Sequence, residues 1–274
     1  MRKGLFLLPL FITGCTVQSH NYDYLNNYSL PVVQPKVPDS IKISDGNNDE
    51  WGVVISGDKL LSKLGKSPEK NDDESKSEYM ARMSGIEGLV FTTIDYKMFD
   101  YDPDSEELKF SNADPDNLGR GFTSYSEKRH YEDMGQFFGF GMKGGKSIDL
   151  GSYEGSNAFG ATATVNKSKT TTFKVVFGEK SAFQVARIDF EEGCKITPSE
   201  YRAVKNDLAI EYIAKLKYPY IFKGYSGSAP TLDSPYQDSE TIYYFRSELI
   251  AARLIDKKSM KVYPCRLHYS ISPT

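Results

Sequence analysis

The stretch ATATVNKSKTTTFKVVFGEKSAFQVARIDF, residues 161–190, constrains the fold more than any other part of the chain. Threonine, valine, phenylalanine and isoleucine alternate in it with small or charged residues. Branching at Cβ stiffens a side chain in a helix but suits a pleated surface. A chain written this way has to build a sheet, and period-two alternation lets one face of that sheet be buried. Residues 166–169 lie between two such segments, which predicts a hairpin turning there. Phe183, Val185 and Ala186 or Ile188 alternate in what reads as a third strand of the same group.

The same signature recurs. Nineteen Tyr and sixteen Phe stand against one Trp, a composition suited to half-buried strands. GLVFTTIDYKMFDYD, residues 88–102, predicts a long strand ending at the turn-forming DPDSEE, with LKF returning from it. Residues 240–270 predict another hairpin, turning at 256–259. One helix is well marked by TPSEYRAVKNDLAIEYIAKLK. Thr197 can cap it, Pro198 fits its first position, and Glu200 sits three residues after the cap. Tyr201, Val204, Leu208, Tyr212 and Leu216 then recur at three- and four-residue spacing, which predicts a helix over 198–216. LLSKLG and SEYMARM predict two shorter ones. The expected fold class is α+β: a mainly antiparallel sheet built from hairpins, with the 198–216 helix packed on it.

The amino terminus reads MRKGLFLLPLFITGCTVQSH. Arg2 and Lys3 precede a run of about nine mostly apolar residues, too short for the roughly 20 that span a bilayer. The tetrapeptide Ile12-Thr13-Gly14-Cys15 resembles the lipobox of bacterial lipoproteins, a resemblance confined to these fifteen residues. It implies diacylglycerol on Cys15, cleavage before it, and acylation of the new amino terminus. Several acyl chains anchor stably where one is marginal. Thr16 in place of Asp resembles the sorting pattern for outer-membrane delivery, with the folded domain in the periplasm. The expected organisation is a signal peptide over 1–14, a flexible tether over 15–49, and one α+β domain over 50–274. The tether is rich in Asn, Pro, Ser and Asp. The charged segment 66–78, which lacks any apolar residue, is expected to be a mobile loop.

Losing Arg2 and Lys3 with the leader takes the formal charge from −3 to −5. Acidic residues are spread along the chain, so no basic face is marked out for phosphates, and nucleic acid is not an expected partner. Export removes nucleotides from the ready ligands. GFGMKGGKS fails the Walker spacing, since Phe140 falls where a glycine is needed, and reads as a flexible Gly-rich connection. With Cys15 acylated, Cys194 and Cys265 remain. In an oxidising compartment they are expected to pair, the alternative being two buried thiols. His20, His130 and His268 are then too few for a zinc site. The acidic stretch starting at Asp102 has Glu107 and Ala113 where an EF-hand loop needs Gly and Glu, and the one starting at Asp114 has Gly119 but Tyr125 in place of the Glu. No metal or other cofactor is expected.

Two segments bear on function. GYSGSAP, residues 224–230, resembles the segment around the nucleophile of some trypsin-like bacterial serine proteases. That resemblance implies Ser226 as nucleophile, with His130 and Asp189 in the matching chain order. It departs from the pattern in Tyr225, which replaces an aspartate, and in the KRHYED context of the histidine. YPYIFKGYSGSAPTLDSPYQ, residues 218–237, gathers Tyr218, Tyr220, Phe222, Tyr225 and Tyr236 in a Pro/Gly/Ser-rich segment. As a loop it could stack on sugars or anchor a protein; equally, its rings could fold back onto the core. Lacking a complete catalytic constellation, the chain reads first as a membrane-anchored factor that binds another envelope protein or peptidoglycan. A serine hydrolase and a glycan-binding lipoprotein are the alternatives.

Overall fold

The computed structural model describes residues 54–111, 123–126, 136–180 and 184–273. Their elements run α1 (Gly57–Leu64), α2 (Lys76–Arg82), β1 (Val90–Asp95), β2 (Phe99–Asp102), β3 (Glu107–Phe110) and β4 (Thr123–Ser126). Then come β5 (Gln136–Ser156), β6 (Thr162–Lys180), β7 (Gln184–Phe190), β8 (Cys194–Lys195) and α3 (Pro198–Val204). The last are β9 (Leu208–Gly227), β10 (Tyr236–Asp256), β11 (Lys261–Tyr263) and β12 (Leu267–Pro273). The fold is mostly β with few helices, an α+β arrangement. Its main sheet has the order β1-β9-β10-β6-β5-β4, with β11 on β10. The β7–β12 pair and the β2-β3-β8 sheet stand apart from it.

Four strands dominate. β5, β6, β9 and β10 are 21, 19, 20 and 21 residues long, well beyond the usual 3–10. β5 and β6 form one antiparallel hairpin and β9 and β10 another, and β6 joins β10 in parallel. The hydrophobic core lies where the carboxyl-terminal halves of β6 and β10 meet the near ends of their partners. Phe140 stacks on Tyr212 at 4.8 Å and Phe173 on Phe245 at 5.9 Å between ring centroids, all four rings being buried. α1 covers this face, and a Cβ at Gly57 would come within 2.1 Å of the Phe173 ring, so only glycine lets the helix settle there.

The disulfide Cys194–Cys265 is formed, linking β8 to the segment before β12 across 71 residues. Phe99 and Phe110 pack at 5.1 Å, and Phe110 and Phe190 at 4.7 Å, beneath the small sheet. Tyr101 stacks on Tyr201 at 4.1 Å, holding α3 against β2.

Several expectations are corrected. Thr197 does cap a helix, its hydroxyl accepting the Glu200 amide, but α3 stops at Val204 instead of running to 216. Residues 208–216 are strand. Leu208, Tyr212 and Leu216 are four apart, and a spacing of four satisfies period two as well as a helical stripe. The segment is buried on both faces over 208–214, so no alternation was visible to break the tie. Residues 166–169 do not turn; β6 runs straight through them, and the hairpin closes at 157–161. There the Asn157 side chain accepts the amides of Phe159 and Ala161 at 2.9 and 3.0 Å. The polar 166–169 stretch reflects exposure, not a bend. β7 pairs with β12 and does not join β6. The Gly-rich run is an irregularity inside β5: Gly145 has φ +87°, a Cβ on it would meet the Thr171 carbonyl at 2.0 Å, and its amide donates to the Asp58 carboxylate at 2.9 Å. The turn at 103–106 falls within DPDSEE, and that at 257–260 lies one residue beyond the 256–259 expected.

Candidate binding surface

Past the core, the four long strands continue as a single-layer arm. β1 pairs with β9 only as far as Lys215, and β4 with β5 only as far as Gly139. Beyond those points no other described strand pairs with β9-β10-β6-β5, and β9 and β5 are its edges among the described residues. From Phe173, the last buried ring on α1's side, to Thr162 at the tip is eleven residues, roughly 35 Å at the rise of a strand. Along that length β5 is exposed almost throughout, and Val165 is the one buried side chain of the described arm, seated in the hollow that Gly155 leaves beside Tyr153.

The arm is braced where it leaves the body. β9 bulges over 217–220, between Leu216 opposite Ser247 and Ile221 opposite Phe245. α2 fills this elbow. The buried Tyr79 hydroxyl lies 2.9 Å from the Pro219 carbonyl and 2.8 Å from that of Pro68. Tyr79, Tyr218 and Tyr220 pack ring to ring at 5.8–6.1 Å, and Arg246 donates to the Tyr218 carbonyl at 2.7 Å. Of the charged segment 66–78, expected as a mobile loop, residues 76–78 open α2 behind a capping box at Ser75 and Glu78. Arg82 holds the rest, bonding the Glu74 carboxylate at 2.7 Å and the Ser67 and Glu69 carbonyls. This hydrogen bonding pulls the Glu74 carboxyl down to about 2. Glu69 reaches Lys223 on the arm; burial disfavours that ammonium, but the Glu69 bond outweighs it and raises its pKa.

The register decides what each face of the arm shows, because paired residues project to the same side. One face carries Asp149, Glu154, Asp238 and Glu240 among hydroxyls: Ser168 donates to Asp238 at 2.5 Å, Thr172 to Glu240 at 2.7 Å and Thr164 to Glu154 at 2.6 Å. The other carries Lys146, Lys167, Lys169 and Lys223 with Tyr153, Tyr225 and Tyr243. Lys167 lies over the Tyr153 ring and Lys223 over Tyr243, at 5.6 and 5.3 Å. Neither face has the continuous apolar band that contact with lipid would require. The two turns lie at the same end and expose Phe159, at 96 %, and Leu232, at 49 %.

The residues singled out in 218–237 are thus on strands and their turn. Tyr220 and Phe222 are buried and Tyr218 is packed at the elbow, while Tyr225 and Tyr236 are exposed at 76 % and 54 %. Tyr225 pairs with Thr241 and Tyr236 with Asn166, which puts the two exposed rings on opposite faces. Ser226 is exposed on β9 opposite Glu240; Asp189 is on β7, opposite His268 of β12. His130, Cys15, the expected signal peptide and the expected tether lie outside the described residues.

Two ion pairs inside the body escaped the sequence reading. Arg253 donates to Glu211 at 2.6 Å across β9 and β10, and Lys97 lies 2.9 Å from Asp95, all four side chains being nearly sealed from solvent. Burial raises the pKa of Glu211 and of Asp95 despite the cations beside them, and raises that of the Tyr212 phenol well above its usual value. Among the described residues, no three His, Cys, Asp or Glu side chains are grouped to hold a metal ion. Compared with protein-family models, curated proteins and solved structures, the chain matches none.

Proposed function

We propose that this chain is a lipid-anchored outer-membrane protein of the bacterial envelope that works by binding, as a structural or assembly factor, with the arm as its binding element. The arm carries the reading. A four-stranded layer some 35 Å long, with both edges unpaired among the described residues and aromatic residues exposed at its tip, buries little of its own beyond Val165 and gains stability by meeting something else. Its elbow is tied down by α2, so it is presented in one orientation. The Ile12-Thr13-Gly14-Cys15 sequence supports attachment through Cys15, and the polar 15–49 segment would give the domain reach from the membrane. The opposed placement of Tyr225 and Tyr236 favours a partner that touches both faces over a sugar stacked on one ring platform.

Photo-crosslinking residues at Phe159 and Tyr225, in cells, test the binding reading against an exposed body position, Lys63. Adducts from the arm positions and none from Lys63 are expected; adducts from neither arm position would sink it. Intact mass of the membrane-extracted chain tests the anchor, which requires acylation of Cys15 and its loss in Cys15→Ala.

A further inference from the structure

The two faces of the arm carry opposite charge. Four carboxylates stand on one, and no register-paired position beyond Lys174 on that face carries lysine or arginine, Lys143 lying within the β5 irregularity. Four lysines stand on the other, with no carboxylate projecting from the four strands; Lys223, at the elbow, is paired with Glu69, and Lys146, Lys167 and Lys169 carry the row towards the tip. The lysines and carboxylates occupy the same stretch of strand: Lys167 and Lys169 alternate with Ser168, which is bonded to Asp238. One arm therefore offers both halves of a complementary contact, matched in length.

We propose that the arm stacks on the arm of a second copy of this chain, acidic face against basic face. This deepens the binding reading above and rests on it, naming the partner. A foreign anionic partner would use only the lysine face and leave the row of carboxylates without a role, whereas a second copy uses both. The area is sufficient. Four strands about 4.8 Å apart and roughly 35 Å long present about 650 Å² per face. Two faces in contact then bury roughly 1,300 Å², within the range of specific interfaces. Tyr225 and Tyr153 on the lysine face, exposed at 76 % and 41 %, supply the apolar area that salt-bridging alone would lack. Such a contact is head-to-tail: a stacked pair leaves one acidic and one basic face open, so the assembly extends to a ring or a filament instead of stopping at two.

The test is sedimentation velocity on the full chain in detergent, at about 50 mM and about 500 mM NaCl, where charges are screened beyond roughly 14 Å and 4 Å. The wild type should form species larger than a dimer at low salt and dissociate at high salt. Lys167→Glu with Lys169→Glu, and separately Asp238→Lys with Glu240→Lys, should each weaken self-association by about a hundredfold or more, since like charges are then opposed. These side chains are on the arm's surface, and an unchanged thermal midpoint shows that each variant is folded. Mixing the two variants should restore assembly, as the two reversed positions of one then meet the two reversed positions of the other with opposite sign, while Lys146, Lys223, Asp149 and Glu154 keep theirs. A monomeric wild type at low salt overturns the second-copy partner. Assembly unaffected by salt and by both reversals overturns face stacking and points to pairing along the β5 and β9 edges. If the wild type is monomeric while Phe159 and Tyr225 crosslink to another envelope protein in cells, the binding reading stands without this inference. If neither occurs, both fall.

Discussion

Opening the Cys194–Cys265 bridge is the perturbation whose size follows most directly from the structure. The bridge closes a loop with a sequence separation of 71. In the chain-entropy model a loop of that size costs the unfolded chain about 15 cal/mol/K, or about 4.4 kcal/mol at 25 °C. Both sulfurs are buried, at 1 % and 5 % exposure, and Cys194 pairs with the fully buried Leu108 in the small sheet. Cys194→Ala with Cys265→Ala should therefore cost roughly 3–5 kcal/mol, and lower the thermal midpoint by roughly 10–15 °C for a fold of this size. Urea unfolding checks it with two readouts. The midpoint should fall, and the slope m should rise, because the unlinked unfolded chain exposes more surface. Cys194→Ala alone should lose nearly as much, since the loop opens all the same. A double variant within 1 kcal/mol of wild type, with m unchanged, would refute the argument that the bridge acts by restricting the unfolded chain.

Gly57→Ala forces a methyl into the Phe173 ring and should destabilise by about 1–3 kcal/mol in spite of alanine's better helix propensity; an unchanged midpoint in denaturant would contradict the packing of α1. Arg253→Met strands a buried Glu211 carboxylate and should cost about 3–5 kcal/mol, while Arg253→Met with Glu211→Leu should recover most of it. A double variant no better than the single would refute the pairing. Asp95 has a folded-state pKa raised by burial, so its contribution to stability is fully present below the unfolded value near 3.8 and is lost as pH rises through the folded value. The stability difference, wild type minus Asp95→Asn, should accordingly grow as pH falls from 7 towards 4. A difference that shrinks over that range would show the opposite shift.

Local chemistry was readable from the chain and long-range register was not. The Thr197 cap, the turn at 257–260 and the two short helices are written in a few adjacent residues, and they appear where expected, the turn displaced by one residue. The pairing of two cysteines followed from counting. Leu208, Tyr212 and Leu216 misled because their spacing fits either period, and only pairing with β1 and β10 makes them a strand. The arm was hidden for a related reason. Asn166, Lys167, Ser168 and Lys169 look like a turn when a buried strand is the comparison, whereas in a single layer both faces are wet and every position can be polar. The opposed charges were invisible because Ser168 meets Asp238 only through a register linking distant segments. The aromatic residues of 218–237 were recognised, but which rings are buried depends on the β9 bulge and on Tyr79, more than a hundred residues away.

The parallel seam between β6 and β10 also sets an order of events. Each hairpin closes a short turn, so β5 can meet β6 and β9 can meet β10 soon after synthesis, by contacts local in sequence. The seam joins Asn166 to Tyr236 and continues to Val176 and Arg246, always at the same long separation. Closing a chain segment of that length costs roughly 4 kcal/mol before any contact rewards it. Parallel pairing returns slightly less per residue than antiparallel. The arm is thus two ribbons that fold separately and zip together late, from the core outwards, where Phe173 and Phe245 stack. The same line is where it should part first: in native-state hydrogen exchange, seam amides near Asn166 should open at lower free energy than those within either hairpin. Equal protection across seam and hairpins would show that the four strands behave as one unit.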